Sequence, residues 1–340
     1  MEVAGQEGPA SAPPRRPGLL SVVAPLHDEE GNVDALCERV RTALGAVPWE
    51  LVLVDDGSRD GTPARLAGLA AADPRIKVVA LSRSFGHQAA LTAGLEHARG
   101  DVVAMMDGDL QDPPEVLPEL LARWADGADV VYAVREERPG ETRFKLFSAR
   151  WFYRVFGRLA GLPLEPDSGD FRLMDRRALD ALLAMPERNR FLRGMTVWVG
   201  FTQTAVRYRR AARATGETKF TLGRMLRFSF DAITSFSHAP LQAATLLGFL
   251  FSGLAFLAIP LTIVARYSDI YVPGVPSTIV IILLLGGIQL ITVGIIGEYV
   301  GRIYDEVKRR PLYVVRDRLN VEPPPEARAS ADEDLSGARR

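Results

Sequence analysis

Through residue 134 the chain alternates short apolar β-type runs with amphipathic stretches. Leu19–Ala24 reads as a strand, Asn32–Leu44 as a helix, Glu50–Val54 as a strand and Thr62–Ala72 as a helix. The same rhythm continues through strand Ile76–Leu81, helix Gln88–Ala98, strand Val102–Met106, helix Pro114–Trp124 and strand Asp129–Val134. Strands separated by helices at this spacing predict an α/β unit with a mostly parallel sheet covered on both faces. From residue 135 to 231 the pattern turns rich in Arg and aromatic residues, with a helix-like Phe144–Leu159 and a strand-like Thr202–Tyr208 extending the same unit.

A long apolar block follows. Residues 232–298 hold three formal charges, Arg266, Asp269 and Glu298, and divide at Arg266–Asp269 into Ala239–Ala265 and Ile270–Gly297. Each exceeds the roughly 20 residues needed to cross a hydrocarbon core, so two transmembrane helices are expected, over about 239–265 and 274–297. Just before them, Leu222–Phe236 mixes Arg224 and Arg227 with Leu222, Met225, Leu226, Phe230 and Ile233, the make-up of a helix lying among lipid headgroups. Pro260 is expected to kink the first span. Gly286, Gly287, Gly294, Gly297 and Gly301 leave a smooth face on the second, suited to packing the spans or neighbouring subunits. No ionisable residue sits mid-span, which argues against a channel.

Composition explains why the block stands out. With 24% charged residues, a mean hydropathy of +0.04 requires that the apolar residues be pooled, and they are. The net charge of −1, from 41 basic and 42 acidic residues, argues against nucleic acid as a partner. A single cysteine, Cys37, excludes disulfide frameworks; it falls among Val33, Leu36 and Val40 on a core helix face. Residues 1–18, rich in Pro, Ala and Gly, are expected to form a disordered leader. The basic segment Arg302–Arg318 leads into a Pro- and acid-rich tail expected to be disordered, within a final region 302–340. Basic residues before the first span (Arg207, Arg209, Arg210, Arg213, Lys219, Arg224, Arg227) and after the second (Arg302, Lys308, Arg309, Arg310) put both termini and the α/β unit in the cytoplasm by the positive-inside rule.

Acidic residues gather where the strands end. Asp28, Glu29 and Glu30 follow the first strand, Asp55 and Asp56 end the second, and Asp107, Asp109 and Asp112 end the fourth. In an open parallel sheet ligands bind there, and a hard divalent cation is the usual relief for clustered carboxylates. The first strand runs into Pro25-Leu26-His27-Asp28-Glu29-Glu30-Gly31, without the glycine pattern of a dinucleotide fold, and no Walker loop occurs. Phosphate binding would therefore use a metal and basic side chains.

Six motifs in order carry a resemblance: Ala24–Glu30, Val54–Thr62, Met106–Pro114, Asp167–Arg172 (DSGDFR), Arg190–Gly194 (RFLRG) and Gly216–Phe220 (GETKF). Together with the paired C-terminal helices they resemble family 2 glycosyltransferases of the GT-A fold, narrowly the polyprenyl-phosphate glycosyltransferases related to dolichyl-phosphate mannose synthase and the bacterial two-helix members. The match runs over about residues 19–318, with the GT-A, Rossmann-like domain at 19–221, an interfacial helix at 222–238 and the spans within 239–301.

The resemblance implies an inverting, metal-dependent transfer of one sugar from a nucleotide diphosphate sugar, UDP-glucose, to undecaprenyl phosphate at the cytoplasmic face of the cell membrane. It implies Mg²⁺ or Mn²⁺ held by Asp107, Asp109 and Gln111, and a nucleotide-sugar pocket formed by Pro25, Glu29, Asp56 and Asp107. Asp109 and Asp170 are the implied catalytic carboxylates, Asp170 as general base or as the group that positions the acceptor; a salt bridge to Arg172 is its competing structural role. Arg135, Arg143, Lys145, Arg150 and Lys219 are the implied acceptor-phosphate cations, with guanidinium groups suited to bidentate binding. His87, in Ser84-Phe85-Gly86-His87-Gln88, is assigned either to the donor side or to packing at a helix start; His238 falls at the membrane boundary. The partners implied are the donor, the lipid phosphate, the bilayer and further copies of the chain, as a tetramer. Competing readings are a GDP-mannose-dependent mannosyltransferase and a non-catalytic scaffold or flippase component. A processive synthase is disfavoured because Arg190 to Trp198 lacks the Q-x-x-R-W pattern.

Overall fold

The computed structural model describes residues 15–135, 168–209, 239–267 and 274–321. They form two compact units, residues 15–135 and 168–209 with 311–321, and the two helices between residues 239 and 310.

The first unit is built on one eight-stranded sheet. Its strands are β1 (Leu20–Leu26), β2 (Trp49–Asp55), β3 (Ile76–Leu81), β4 (Val102–Met105), β5 (Val130–Arg135), β6 (Ser168–Asp175), β7 (Gln203–Tyr208) and β8 (Val315–Leu319), in the order β7-β5-β6-β4-β1-β2-β3-β8. The central β4-β1-β2-β3 set is parallel, as is β5 with β7; β6 is antiparallel to both β4 and β5, and β8 is antiparallel to β3. The central strands are runs of Val, Leu, Ile, Ala and Met whose residues are almost all buried, the signature of a sheet covered on both faces. Helices α1 (Val33–Leu44), α2 (Thr62–Ala72), α3 (His87–His97), α4 (Leu117–Ala125), α5 (Arg176–Leu183) and α6 (Leu192–Trp198) complete the described part of this unit. α1 buries Val33, Leu36, Cys37, Val40 and Leu44, the stripe its spacing predicts.

β6 brings the acidic edge together. Its antiparallel register sets Met105 opposite Arg172. Continuing that register by two residues brings Asp107, just past the carboxyl end of β4, level with Asp170 near the start of β6.

Both chain extremities of the unit depart from expectation. Within the expected leader, Arg15 is docked: its guanidinium reaches Asp129 Oδ1 at 3.2 Å and lies over the Trp124 ring, 6.0 Å from the centroid. Within the expected basic segment, β8 completes the sheet edge, pairing Val78 with Leu319 and Val79 with Arg318. Asn320 Nδ2 donates to the Ala70 and Ile76 carbonyls at 2.6 and 3.0 Å, Arg318 Nε donates to His97 Nε2 at 3.2 Å, and Tyr313 donates its hydroxyl proton to Glu96. The helix expected over Pro114–Trp124 opens with a tight 3₁₀ turn, Pro114–Val116, ahead of α4.

The second unit holds α7 (Ala239–Tyr267) and α8 (Val275–Lys308), packed against each other. α7 runs unbroken through Pro260, and α8 continues past the expected end near Gly297 to Lys308, where Arg309 turns left-handed at φ 47°. Stretches Pro240–Ala258 and Leu284–Lys308 are long and apolar enough to cross a membrane. Their large apolar side chains, among them Phe249, Phe256, Leu257, Leu290 and Ile291, face outward rather than into a core. A Cβ built at Gly286, Gly287, Gly294, Gly297 or Gly301 would meet nothing within 4 Å among the described residues, so α7 does not fill that face. The expected helices Phe144–Leu159 and Leu222–Phe236 and the residues Arg143, Lys145, Arg150, Lys219 and His238 lie outside the described residues.

Candidate active site

Two loops beyond β1 and β2 are laced together by their own polar groups. Asp28, at φ 56°, donates its N–H to Ser58 Oγ (3.0 Å) and accepts from Arg59 N (2.7 Å). Glu29 donates its N–H to Thr62 Oγ1 at 3.0 Å, while its carboxylate accepts from Asn32 Nδ2. Glu30 accepts from Gly61 N at 3.2 Å. Asp56 is buried and holds the next loop, accepting from Ser84 Oγ (2.8 Å), Phe85 N (2.7 Å) and Gly86 N (3.1 Å). Three of its carboxylate lone-pair positions are thus engaged within the chain. Gly57 enables this approach: at φ 67°, a Cβ there would stand 2.5 Å from Arg83 C.

The Asp107-Gly108-Asp109 turn is pressed against β1. A Cβ on Gly108 would fall 2.4 Å from Leu26 Cδ2 and 2.7 Å from the Pro25 carbonyl oxygen, which leaves glycine as the residue that fits between the two acids. Leu110 follows at φ 60°, and Gln111 N donates to Asp109 Oδ1 at 3.1 Å. Gln111 is buried, as is Asp112, which accepts from the Tyr208 hydroxyl and lies 3.5 Å from the Arg135 guanidinium. Arg135 Nε also donates to the Tyr208 oxygen at 3.1 Å. Arg135 is therefore tied to the strand ends through Asp112 and Tyr208.

Asp107 and Asp170 meet at one imidazole. His87 Nε2 lies 3.5 Å from Asp107 Oδ1 and 3.4 Å from Asp170 Oδ2. His87 opens α3 after Gly86, whose φ of 96° turns the chain into the helix. Burial favours the neutral ring, but Asp170, Asp107 and Asp56 outweigh it and raise the His87 pKa. For Asp170, burial works toward protonation, yet His87, Arg193 and Arg172 hold its carboxyl below the ordinary range. Its direct cationic neighbours are His87 and Arg193, whose guanidinium lies 3.5 Å from Oδ1. Arg172, the expected partner, instead donates to the Gly169 carbonyl at 2.9 Å. Gln88 Nε2 donates to Asp170 Oδ2 at 3.0 Å.

Asp107 differs. Burial drives its pKa up to about 6; His87 opposes this, while Asp112, Asp170 and Asp109 add to it. Its Oδ1 is buried without a hydrogen-bond partner among the described residues. A carboxylate so desolvated and surrounded by others suits a divalent cation, so the residues present fit one. Among the described residues no three His, Cys, Asp or Glu side chains form a ready cation cage. A metal held here would take one or two carboxylates and draw its other ligands from water and a bound phosphate, the usual habit of Mg²⁺.

The described members of the expected set therefore gather at the ends of β1, β2, β4, β5 and β6. Sequence reasoning did not assign Gln88, Arg193 or Tyr208 to the site. The first two lie inside motifs that were recognised, Ser84–Gln88 and Arg190–Gly194, and could have been read from them.

Residues 21–183 match the family described as glycosyl transferase family 2. The chain is 44% identical over 305 residues to the uncharacterized glycosyltransferase YkcC of Bacillus subtilis (strain 168), covering 89% of this chain and 94% of that protein. It is 40% identical over 300 residues to the SfII prophage-derived bactoprenol glucosyl transferase of Shigella flexneri, covering 87% and 97% respectively. Among solved structures, a glucosyl-3-phosphoglycerate synthase from Mycobacterium tuberculosis is similar at 23% identity, with a TM-score of 0.47 over 64% of this chain and 80% of that one.

Proposed function

The chain belongs to glycosyl transferase family 2, and from that membership we propose that it transfers one glucosyl unit from UDP-glucose to a polyprenyl phosphate such as undecaprenyl phosphate, with inversion, at the cytoplasmic face of a membrane. The observation that carries the reading is the meeting of Asp107 and Asp170 at His87, in a chain that also holds two outward-apolar helices of membrane-crossing length.

An acceptor phosphate oxygen forms the new bond to the anomeric carbon while the nucleoside diphosphate leaves with the bonding electrons. That nucleophile is already ionised near neutral pH, so it needs aim more than deprotonation. Asp170, held ionised, is a weak base; its service is to fix the acceptor, with Arg193 beside it as counter-charge. His87 keeps Asp107 and Asp170 from repelling one another. Asp107 and Asp109, with Gln111, would hold Mg²⁺ or Mn²⁺. Such an ion supplies charge stabilisation to the departing diphosphate. Pro25, Glu29 and Asp56 line the base and ribose side, Asp56 chiefly by holding residues 84–86 in place. Arg143, Lys145, Arg150 and Lys219 belong to the acceptor side in this reading, and Arg135 acts there through Asp112. A tetramer, and both termini on the cytoplasmic side, complete it.

Membranes containing the protein, given radiolabelled UDP-glucose, are expected to yield an organic-soluble product labile to mild acid. Labelled GDP-mannose run in parallel tests the donor. Incorporation from GDP-mannose alone would replace the donor, and no lipid product from a panel of nucleotide sugars would overturn the reading.

A further inference from the structure

Two segments of the site converge on Gln88 from outside its own helix. Its Nε2 donates to Asp170 Oδ2 at 3.0 Å, and its Oε1 accepts from Leu192 N, at the first turn of α6, also at 3.0 Å. Its own backbone carbonyl accepts from Thr92 Oγ1 at 2.8 Å, inside α3. The two partners leave the amide one orientation, because a carboxylate only accepts and a backbone N–H only donates.

We propose that Gln88 is a positioning residue for the transfer: its carboxamide sets the rotation of the Asp170 carboxylate and ties that rotation to the Arg190–Gly194 segment. The inference rests on the reading of Asp170 as the group that meets the acceptor. The Gln88 bond at 3.0 Å is closer than the His87 and Arg193 contacts at 3.4 and 3.5 Å. His87 is also shared with Asp107, so it does not define the angle of either carboxylate. Gln88 is bound at both ends and cannot swing away without leaving the Leu192 N–H unpaired, a loss that buried donors resist. With Oδ2 engaged by Gln88, Oδ1 is the oxygen turned to Arg193, and it has no hydrogen-bond partner among the described residues.

Two near-isosteric substitutions separate the arms of the amide. Gln88→Glu keeps an oxygen for Leu192 N–H but sets a second carboxyl against Asp170 in place of the neutral donor, so its turnover is compared with wild type from pH 7 to about pH 9, where a proton shared between the two is lost. Gln88→Met keeps the length and loses both arms. Each is made in the full chain, and thermal stability, UDP-glucose affinity by calorimetry, and kcat and KM toward polyprenyl phosphate are measured. Both variants are expected to lose about 10- to 100-fold in kcat while donor affinity stays within about twofold. Wild-type turnover in Gln88→Glu, with loss confined to Gln88→Met, would reduce Gln88 to a prop for α6 and overturn the proposal. Loss of the fold in Gln88→Glu, or a loss seen only in donor affinity, would overturn it equally. Asp170→Asn runs alongside: if it turns over like wild type, the reading of Asp170 fails, whereas an inactive Asp170→Asn beside an active Gln88→Glu refutes Gln88 alone.

Discussion

His87 Nε2 stands 3.4 Å from Asp170 Oδ2, and the same nitrogen is 3.5 Å from Asp107, so one ring separates the two innermost carboxylates of the site. Removing it brings two buried acids face to face without a counter-charge. His87→Ala is expected to lower turnover by about 10- to 100-fold with little change in melting temperature, since the Nε2 edge lies against the buried carboxylates while nearly half of the side chain meets solvent. Stopped turnover with an intact melt supports this; a collapsed melt would mean that the ring is structural.

Asp109 tests the cation. If Asp107 and Asp109 hold a divalent ion against the leaving group, Asp109→Asn should cut turnover by about 10³-fold or more. EDTA should silence the wild type until Mg²⁺ or Mn²⁺ is restored. Full activity in EDTA would remove the metal from the site.

Asp175 tests the acid stability of the first unit. It caps α5 by accepting from Arg177 N at 3.1 Å and accepts from Trp124 Nε1 at 3.0 Å. Burial alone would raise its pKa, but Arg177 and Trp124 outweigh that and lower it. A depressed folded-state pKa means that the unfolded chain binds the proton more readily. The stabilisation is therefore whole above the ordinary carboxylate range near pH 4 and is lost as pH falls through the folded value. Asp175→Asn is expected to be about 1–3 kcal/mol less stable at neutral pH, with the gap to wild type closing in acid. Thermal melts across that range decide it; a gap independent of pH would assign the loss to geometry rather than charge.

Cys37 offers a quiet background for topology. It is 2% exposed, and burial, the largest influence on it, pushes its thiol up to about 12, so thiol reagents should reach it only after unfolding. A cysteine introduced by Ser268→Cys would then be the reactive thiol of the folded protein. If both termini are cytoplasmic, an impermeant maleimide should label it from the outer face of intact cells. Labelling only after permeabilisation would reverse the orientation.

The parallel half of the sheet could be read along the chain because β1 to β4 are apolar runs buried on both faces. β6 and β8 could not. β6 reads Ser-Gly-Asp-Phe-Arg-Leu-Met-Asp, and its charges pair with groups far along the chain: Asp170 with Gln88 and Arg193, Asp175 with Trp124. β8 reads Val-Arg-Asp-Arg-Leu because it lies on an edge, where charged side chains meet solvent. Apolar periodicity is blind to both. The acidic positions of the site were legible because their motifs are local, whereas the tie of Arg135 to Tyr208 spans 73 residues and leaves no local trace.

The place of β8 in the chain sets an order of events during synthesis. β3 leaves the ribosome early, but the strand that covers its outer edge follows α8, the second of two helices long and apolar enough to cross a membrane. Until then the sheet has an open side, a template for pairing with another chain. A polypeptide stalled inside α8 would hold every other described strand and still expose that side. Completion of the sheet thus reports that both long apolar helices have been made.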